Sequence, residues 1–242
     1  MSDEIDLTRS ELFAAPFYTR HDHRRLEHLA SLGLDLHDKT VIEPGAGIGN
    51  HSLFYADRGC HVTAIEPRAD NCAMFRANLQ GSWSPYIDSI TIVEAPYSIM
   101  EEMDETFDIV HSYGFLYHVG EPDLAIALMA KCTNDLLIME TCVSTLHTED
   151  MGLLEEPSQN PSQAFDGKAC RPSRSWIKAE LGHHFEHVYL TRTQPAHDEF
   201  PLNWNAPVQS KTGLTRAVFV ASRRPLDNQL LTTSIPTSQR RC

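Results

Sequence analysis

Positive charge is scarce in this sequence. Among 242 residues, 20 Lys and Arg stand against 33 Asp and Glu, a formal net charge of −13. A broad phosphate-reading surface needs clustered cations, so nucleic acid is not an expected partner. Long apolar runs are missing too, because no stretch approaches the roughly 20 residues of a membrane span, and no membrane partner is expected. The opening residues Met1 to Asp6 are acidic, where a secretory signal is basic and then apolar. Six cysteines (Cys60, Cys72, Cys132, Cys142, Cys170 and Cys242) are scattered with no C-x-x-C pair, which argues against a zinc framework and a disulfide scaffold. The expectation is a cytoplasmic protein with reduced thiols. Fixed-period repeats and low-complexity blocks are absent as well.

What is present is a soluble globular composition, 41% hydrophobic and 22% charged, with strands and helices in alternation. A short strand over residues 40–42 runs into a glycine-rich turn, and residues 49–58 read as a helix stopped by Gly59. Residues 61–65 form the next strand, followed by a helix over 69–79 with Cys72, Phe75 and Leu79 on one face. Further strands are expected at 89–93, 107–111 and 135–141, with Pro122 opening a helix over 123–132. This order predicts an α/β fold, a parallel sheet covered on both faces. Residues 143–170 lose the periodicity and read as an insertion or lid. Ser173 then caps a helix over 174–181 ended by Gly182, and strands follow at 187–191 and 216–222. One domain is expected over 1–223, led by a helical lid at 1–37, with residues 224–242 as a disordered tail.

The turn reads Glu43-Pro44-Gly45-Ala46-Gly47-Ile48-Gly49-Asn50. Glycines there permit positive φ and close approach of a ligand to the backbone. A dinucleotide site wants G-x-G-x-x-G; here the third glycine comes one residue early. Glu43 would repel a pyrophosphate but attract an ammonium group. Glu66 ends the next strand, where a carboxylate can accept both hydroxyls of a ribose. Ammonium plus ribose without pyrophosphate describes S-adenosylmethionine.

This stretch resembles motif I of the class I S-adenosylmethionine-dependent methyltransferases. The resemblance implies a Rossmann-like sheet of seven mostly parallel strands with helices on both faces, the last strand antiparallel. It implies that Gly45, Gly47 and Gly49 hold the methionine end of the cofactor and Glu66 its ribose, while Glu94 or Ala95 borders the adenine. His111, Ser112 and Tyr113 would face the methionine moiety and the methyl group. The segment from Phe107 to His118 is also similar to the G-V-L-Y-H segment of the tRNA wobble-uridine carboxymethyltransferases. There, residues matching Tyr117 and Arg216 bind the extra carboxylate of carboxy-S-adenosylmethionine. That family's amino-terminal extension has no counterpart here, and the negative charge suits tRNA poorly.

Methyl transfer to a hydroxyl profits from a general base, usually His. His118, His111 and Tyr117 are the catalytic candidates, on the loop expected to face the methyl group. On the leading helix, Tyr18 and Arg20 are candidates for the cofactor's carboxylate, and His21 or His23 for the substrate. Tyr113, Arg171, Arg174, His197, Trp204 and Arg216 are candidates for an acceptor site beside the late strands. His183 with His187 has helical metal-ligand spacing, but Gly182 and the apolar Phe185 and Val188 argue against it, and no metal is expected. The favoured reading is methyl transfer to a small polar acceptor, oxygen before nitrogen. The rivals are the tRNA modifier and a non-catalytic cofactor-binding subunit.

Overall fold

The computed structural model describes residues 13–156 and 165–242. The start of the expected leading lid and residues 157–164 of the insertion lie outside the described residues. In chain order the strands are β1 (Thr40–Pro44), β2 (His61–Glu66), β3 (Ile90–Glu94), β4 (Phe107–Tyr113), β5 (Thr133–Cys142), β6 (Leu153–Glu155), β7 (Lys168–Cys170), β8 (His187–Thr191), β9 (Thr193–Gln194), β10 (Arg216–Ser222), β11 (Leu231–Thr232) and β12 (Arg240–Arg241). The helices are α1 (Pro16–Ser31), α2 (Asn50–Ala56), α3 (Ala69–Gln80), α4 (Pro122–Cys132) and α5 (Arg174–His184).

The main sheet runs β3-β2-β1-β4-β5-β10-β8, with β11 added at the edge. β1 to β5 pair in parallel, and β10 is antiparallel to both β5 and β8. The expected seven strands and their antiparallel last member are therefore present. Successive strand residues feed opposite cores, because side chains alternate across a pleated sheet. Ile42, Val110, Met139 and Phe219 pack on the side of α4 and α5. Val41, Ile109, Ile138 and Val218 pack with Leu29 of α1, Tyr55 of α2 and Phe75 of α3.

Two expectations are corrected. Gly182 does not end α5; it keeps the helical conformation, and the helix stops only where Phe185 turns extended (φ −129°, ψ 135°) to enter β8. Residues 224–242 are not a loose tail, because their polar groups find partners across the molecule. Asn228 donates to the Leu32 carbonyl (2.7 Å), β11 pairs with β8 and buries Leu231, and β12 pairs with β9. Gln239 accepts from the Trp204 indole (2.5 Å) and donates to the Thr191 carbonyl (2.6 Å). The Ser173 cap is as expected, accepting from the Trp176 amide at 3.1 Å. In the insertion, β6 and β7 form an antiparallel pair, and the Cys170 thiol of β7 donates to the Leu116 carbonyl (3.2 Å).

Candidate functional site

The glycine turn joins the C-terminal end of β1 to α2, and Gly45 and Ala46 donate their amides to the Ile65 carbonyl at the tip of β2 (2.8 and 3.0 Å). Gly45, Gly47 and Gly49 all have positive φ (73°, 57° and 90°), yet they serve different ends. A Cβ on Gly45 would lie 2.8 Å from the Phe115 ring, and one on Gly49 would lie 2.1 Å from the Phe75 ring. Those two glycines admit aromatic rings. A Cβ on Gly47 would meet nothing within 4 Å, so the space beside this residue is open. Its amide donates to Glu66 (2.8 Å), whose other oxygen accepts from the Arg68 amide and the Asn71 side chain (2.9 and 3.1 Å). Burial raises the Glu66 pKa, and these donors work against the rise. Ala95 continues from β3 with its amide on the Glu66 carbonyl (3.2 Å), while Glu94 is exposed and pairs with Arg76 (3.0 Å).

Beneath the turn, Glu43 is almost wholly buried, accepts from the Ser52 hydroxyl, and stands 3.8 Å from His51. Burial pushes its pKa up to about 7, against the pull of His51 and Ser52. His51 meets His111 at 3.3 Å, and His111 meets the Tyr55 hydroxyl at 3.1 Å. The Ser112 and Tyr113 hydroxyls beside them are buried and without a hydrogen-bond partner among the described residues.

Helix α1 crosses this region with an unusual buried face: Asp22, Arg25, His28 and Leu29. Arg25 binds Asp22 and reaches Glu140 of β5 at 2.8 Å. On its other side Glu140 meets Arg216 of β10 at 3.0 Å, and Arg216 continues to Glu199 at 2.5 Å. Asp22 also accepts from Asn50 at the start of α2 (3.0 Å), which ties the leading helix to the glycine turn. Burial alone would raise the Glu140 pKa, but Arg216 and Arg25 hold it below the ordinary carboxylate value. Sequence reasoning missed Asp22, Arg25, His51, Glu140 and Glu199 as members of one network.

Loop residues after β4 form the third part of the site. Leu116–His118 is a 3-10 turn. The Tyr117 ring lies between the guanidiniums of Arg171 and Arg216 (5.0 and 4.8 Å), and its hydroxyl accepts from Arg216 at 3.2 Å. Its pKa is raised by burial. His118 lies tilted against it, ring centroids 3.8 Å apart, and holds Glu156 at 2.7 Å through Nδ1. Glu156 is fixed from its other oxygen by Arg171 (2.7 Å). Burial lowers the His118 pKa while Glu156 raises it. Tyr18 of α1 lies within electrostatic reach of Tyr117 and Arg216, its hydroxyl pushed up by burial and by Asp22.

Several sequence candidates fall elsewhere. His111 is wholly buried with both ring nitrogens engaged, so it braces the core of the site and is not placed to meet an acceptor. Arg174 and Trp204 stack on each other at 3.5 Å, and Arg174 donates to the Pro236 carbonyl (2.9 Å); together they anchor the carboxy-terminal segment. Arg20 is exposed on α1, and His197 lies inside it against Glu199. His183 and His184 both pair with Glu180 on their own helix, and His187 belongs to β8, so the three do not share a helical face. Arg216 lies with Tyr117, but Glu140 and Glu199 already engage it.

Residues 42–135 match a family model described as a methyltransferase domain. No curated protein sequence matches the chain. Among solved structures it is similar to the N-terminal domain of EvdMO1, crystallised with SAH and D-fucose (TM-score 0.60, 18% identity, covering 85% of this chain and 83% of that one). It is also similar to magnesium protoporphyrin IX methyltransferase from Synechocystis PCC 6803 with bound SAM (0.58, 15%, 86% and 82%). A third likeness is to the glycopeptide N-methyltransferase MtfA (0.55, 15%, 84% and 89%). At these identities the likeness is one of fold.

Proposed function

We propose that the chain, which has the fold of solved methyltransferases and matches a methyltransferase-domain model over residues 42–135, moves the methyl group of S-adenosylmethionine onto a hydroxyl of a small polar acceptor. The residues of the glycine turn suit this cofactor. Gly47 leaves room for close approach, Glu66 stands at the tip of the neighbouring strand, and two buried hydroxyls, Ser112 and Tyr113, have bonds to make. Bound, the cofactor supplies an electrophilic methyl on a sulfonium. Glu43 acts on its charged end through space or through water, because its own carboxylate is turned toward Ser52. That Arg216 is held by two carboxylates favours the ordinary cofactor over its carboxylated analogue.

The observation that carries the preference for oxygen is the His118–Glu156 pair at 2.7 Å. An imidazole oriented by a carboxylate on one nitrogen is the arrangement of a general base, with the second nitrogen available to take the hydroxyl proton. Tyr117 lies beside it and Arg171 within electrostatic reach, polar groups of the kind a small hydroxylated acceptor needs. Solved methyltransferases of this fold bear names with a porphyrin and a glycopeptide nitrogen, so the acceptor must be found from the site.

Calorimetric titration with S-adenosylmethionine and its carboxylated analogue tests the cofactor, and a screen of hydroxylated metabolites tests the acceptor. Ordinary cofactor bound at micromolar strength, and more tightly than the analogue, is the expected outcome. His118→Asn should then lower kcat by about 10²–10⁴-fold, the usual worth of a positioned base, with the cofactor Kd unchanged. Tighter binding of the analogue, or full activity in that variant, would overturn the reading.

A further inference from the structure

Apart from the glycine turn and the His118 pair, the structure brings together two histidines and a carboxylate from two distant parts of the chain. His21 comes from α1, and His197 and Glu199 come from the loop between β9 and β10. Each offers a ligand atom within 4.8 Å of the other two. The imidazole rings stand 4.9 Å apart, and His21 Nε2 faces a Glu199 oxygen at 3.5 Å. That nitrogen is buried and has no hydrogen-bond partner among the described residues. We propose that His21, His197 and Glu199 bind a divalent first-row transition metal.

Three features beyond the spacing support the site. The ligand set is two imidazoles and one carboxylate, which suits zinc, iron(II) and their neighbours and leaves coordination positions open. The supporting contacts are those that fix metal ligands. Glu199 accepts from Arg216 Nε (2.5 Å) and from the Thr212 hydroxyl (2.7 Å), while His197 Nδ1 accepts from the Glu199 amide (3.4 Å) and lies 3.4 Å from Asp198. Finally, the partners along the buried chain of charges are unevenly shared. Asp22 has Arg25 and, at 3.5 Å, His51, and Glu140 has two guanidiniums, Arg25 and Arg216. Glu199, at the end of that chain and next to the two imidazoles, has Arg216 as its one guanidinium partner among the described residues.

The other buried cluster of this type, Glu43 with His51 and His111, is a poorer host. There His111 is engaged through both ring nitrogens, by Tyr55 and by His51. The proposed site also stands apart from the methyl-transfer reading, since Glu199 reaches Tyr117 only through Arg216.

The test uses the full chain stripped of metal and titrated with Co²⁺ and Zn²⁺. The expected result is one equivalent bound, with visible Co²⁺ absorption bands of a low-coordinate nitrogen and oxygen site. His21→Ala and His197→Ala, on separate elements, should each weaken binding at least about tenfold, the loss that disturbed metal sites commonly show. Thermal melts of both variants establish that they fold, and each is informative without the other. The pair His183, exposed, and His184, half-buried, provides the control. Absence of stoichiometric binding would overturn the proposal. So would binding that survives both site variants but is lost on replacing His183 and His184.

Discussion

At the scale of single residues, the glycine turn separates packing from ligand binding. Gly49→Ala sets a methyl group into the Phe75 ring and should lower Tm by several degrees, whatever the cofactor does. Gly47→Ala meets nothing and costs only the left-handed backbone, about 1–2 kcal/mol, yet it fills the space a ligand needs. Its signature should be a larger loss in cofactor affinity than in Tm, measured by calorimetry and melting side by side. Glu43 gives a proton-linked prediction. With its pKa raised to about 7 by burial, it is about half protonated at neutrality. A cationic ligand favours the ionised form, so binding should release protons near pH 7. Affinity should rise with pH through that value, by up to tenfold per unit below it, and Glu43→Gln should flatten the profile. Titrations in buffers of different ionisation enthalpy count the protons.

At the scale of elements, the sequence made some parts plain and hid others. Apolar runs such as residues 216–222 announce strands because both faces are buried, and Ser173 announces a helix start because its side chain caps one. The glycine turn and Glu66 were legible for the same reason, since their chemistry lies within one βαβ segment. Helix α1 was harder to read because its buried face carries Asp22, Arg25 and His28, whose partners lie far along the chain: Arg25 and Glu140 are 115 positions apart. No local pattern reports such a pairing. The carboxy-terminal segment misled for a related reason, because polar residues such as Asn228 and Gln239 bond to distant loops and show no periodicity. If that segment holds the fold as described, Leu231→Ala should cost about 2–5 kcal/mol in chemical denaturation. A truly loose tail would make that substitution silent.

At the scale of the whole molecule, buried charge sets the response to acid. Asp22 and Glu140 are both held below ordinary carboxylate values, Asp22 by Arg25, His51 and Asn50 against the effect of burial, and Glu140 by its two arginines. A depressed folded-state pKa gives stability that is present above the unfolded value, near 4, and is lost as pH falls through the folded one. Glu43 acts in the opposite sense, since its raised pKa gives stability below about 4.5 that is lost as pH climbs toward 7. The histidines His28, His111 and His118 oppose it, because burial lowers their pKa and the unfolded chain takes up their protons first as pH falls below about 6.5. Tm should therefore fall as pH drops from 7 to 5 and fall more steeply below 4. Arg25→Ala, which leaves Glu140 short of one of its two cations, should be destabilising by about 3–5 kcal/mol. One consequence concerns neighbouring molecules. β11 is two residues long, yet it occupies the outer edge of β8 and ends the main sheet there. Without residues 224–242, β8 would offer a row of unpaired amides and carbonyls to any passing strand. The segment that closes the fold thus also keeps one copy of the protein from adding to the sheet of another, and a chain cut at Arg224 should self-associate as its concentration rises.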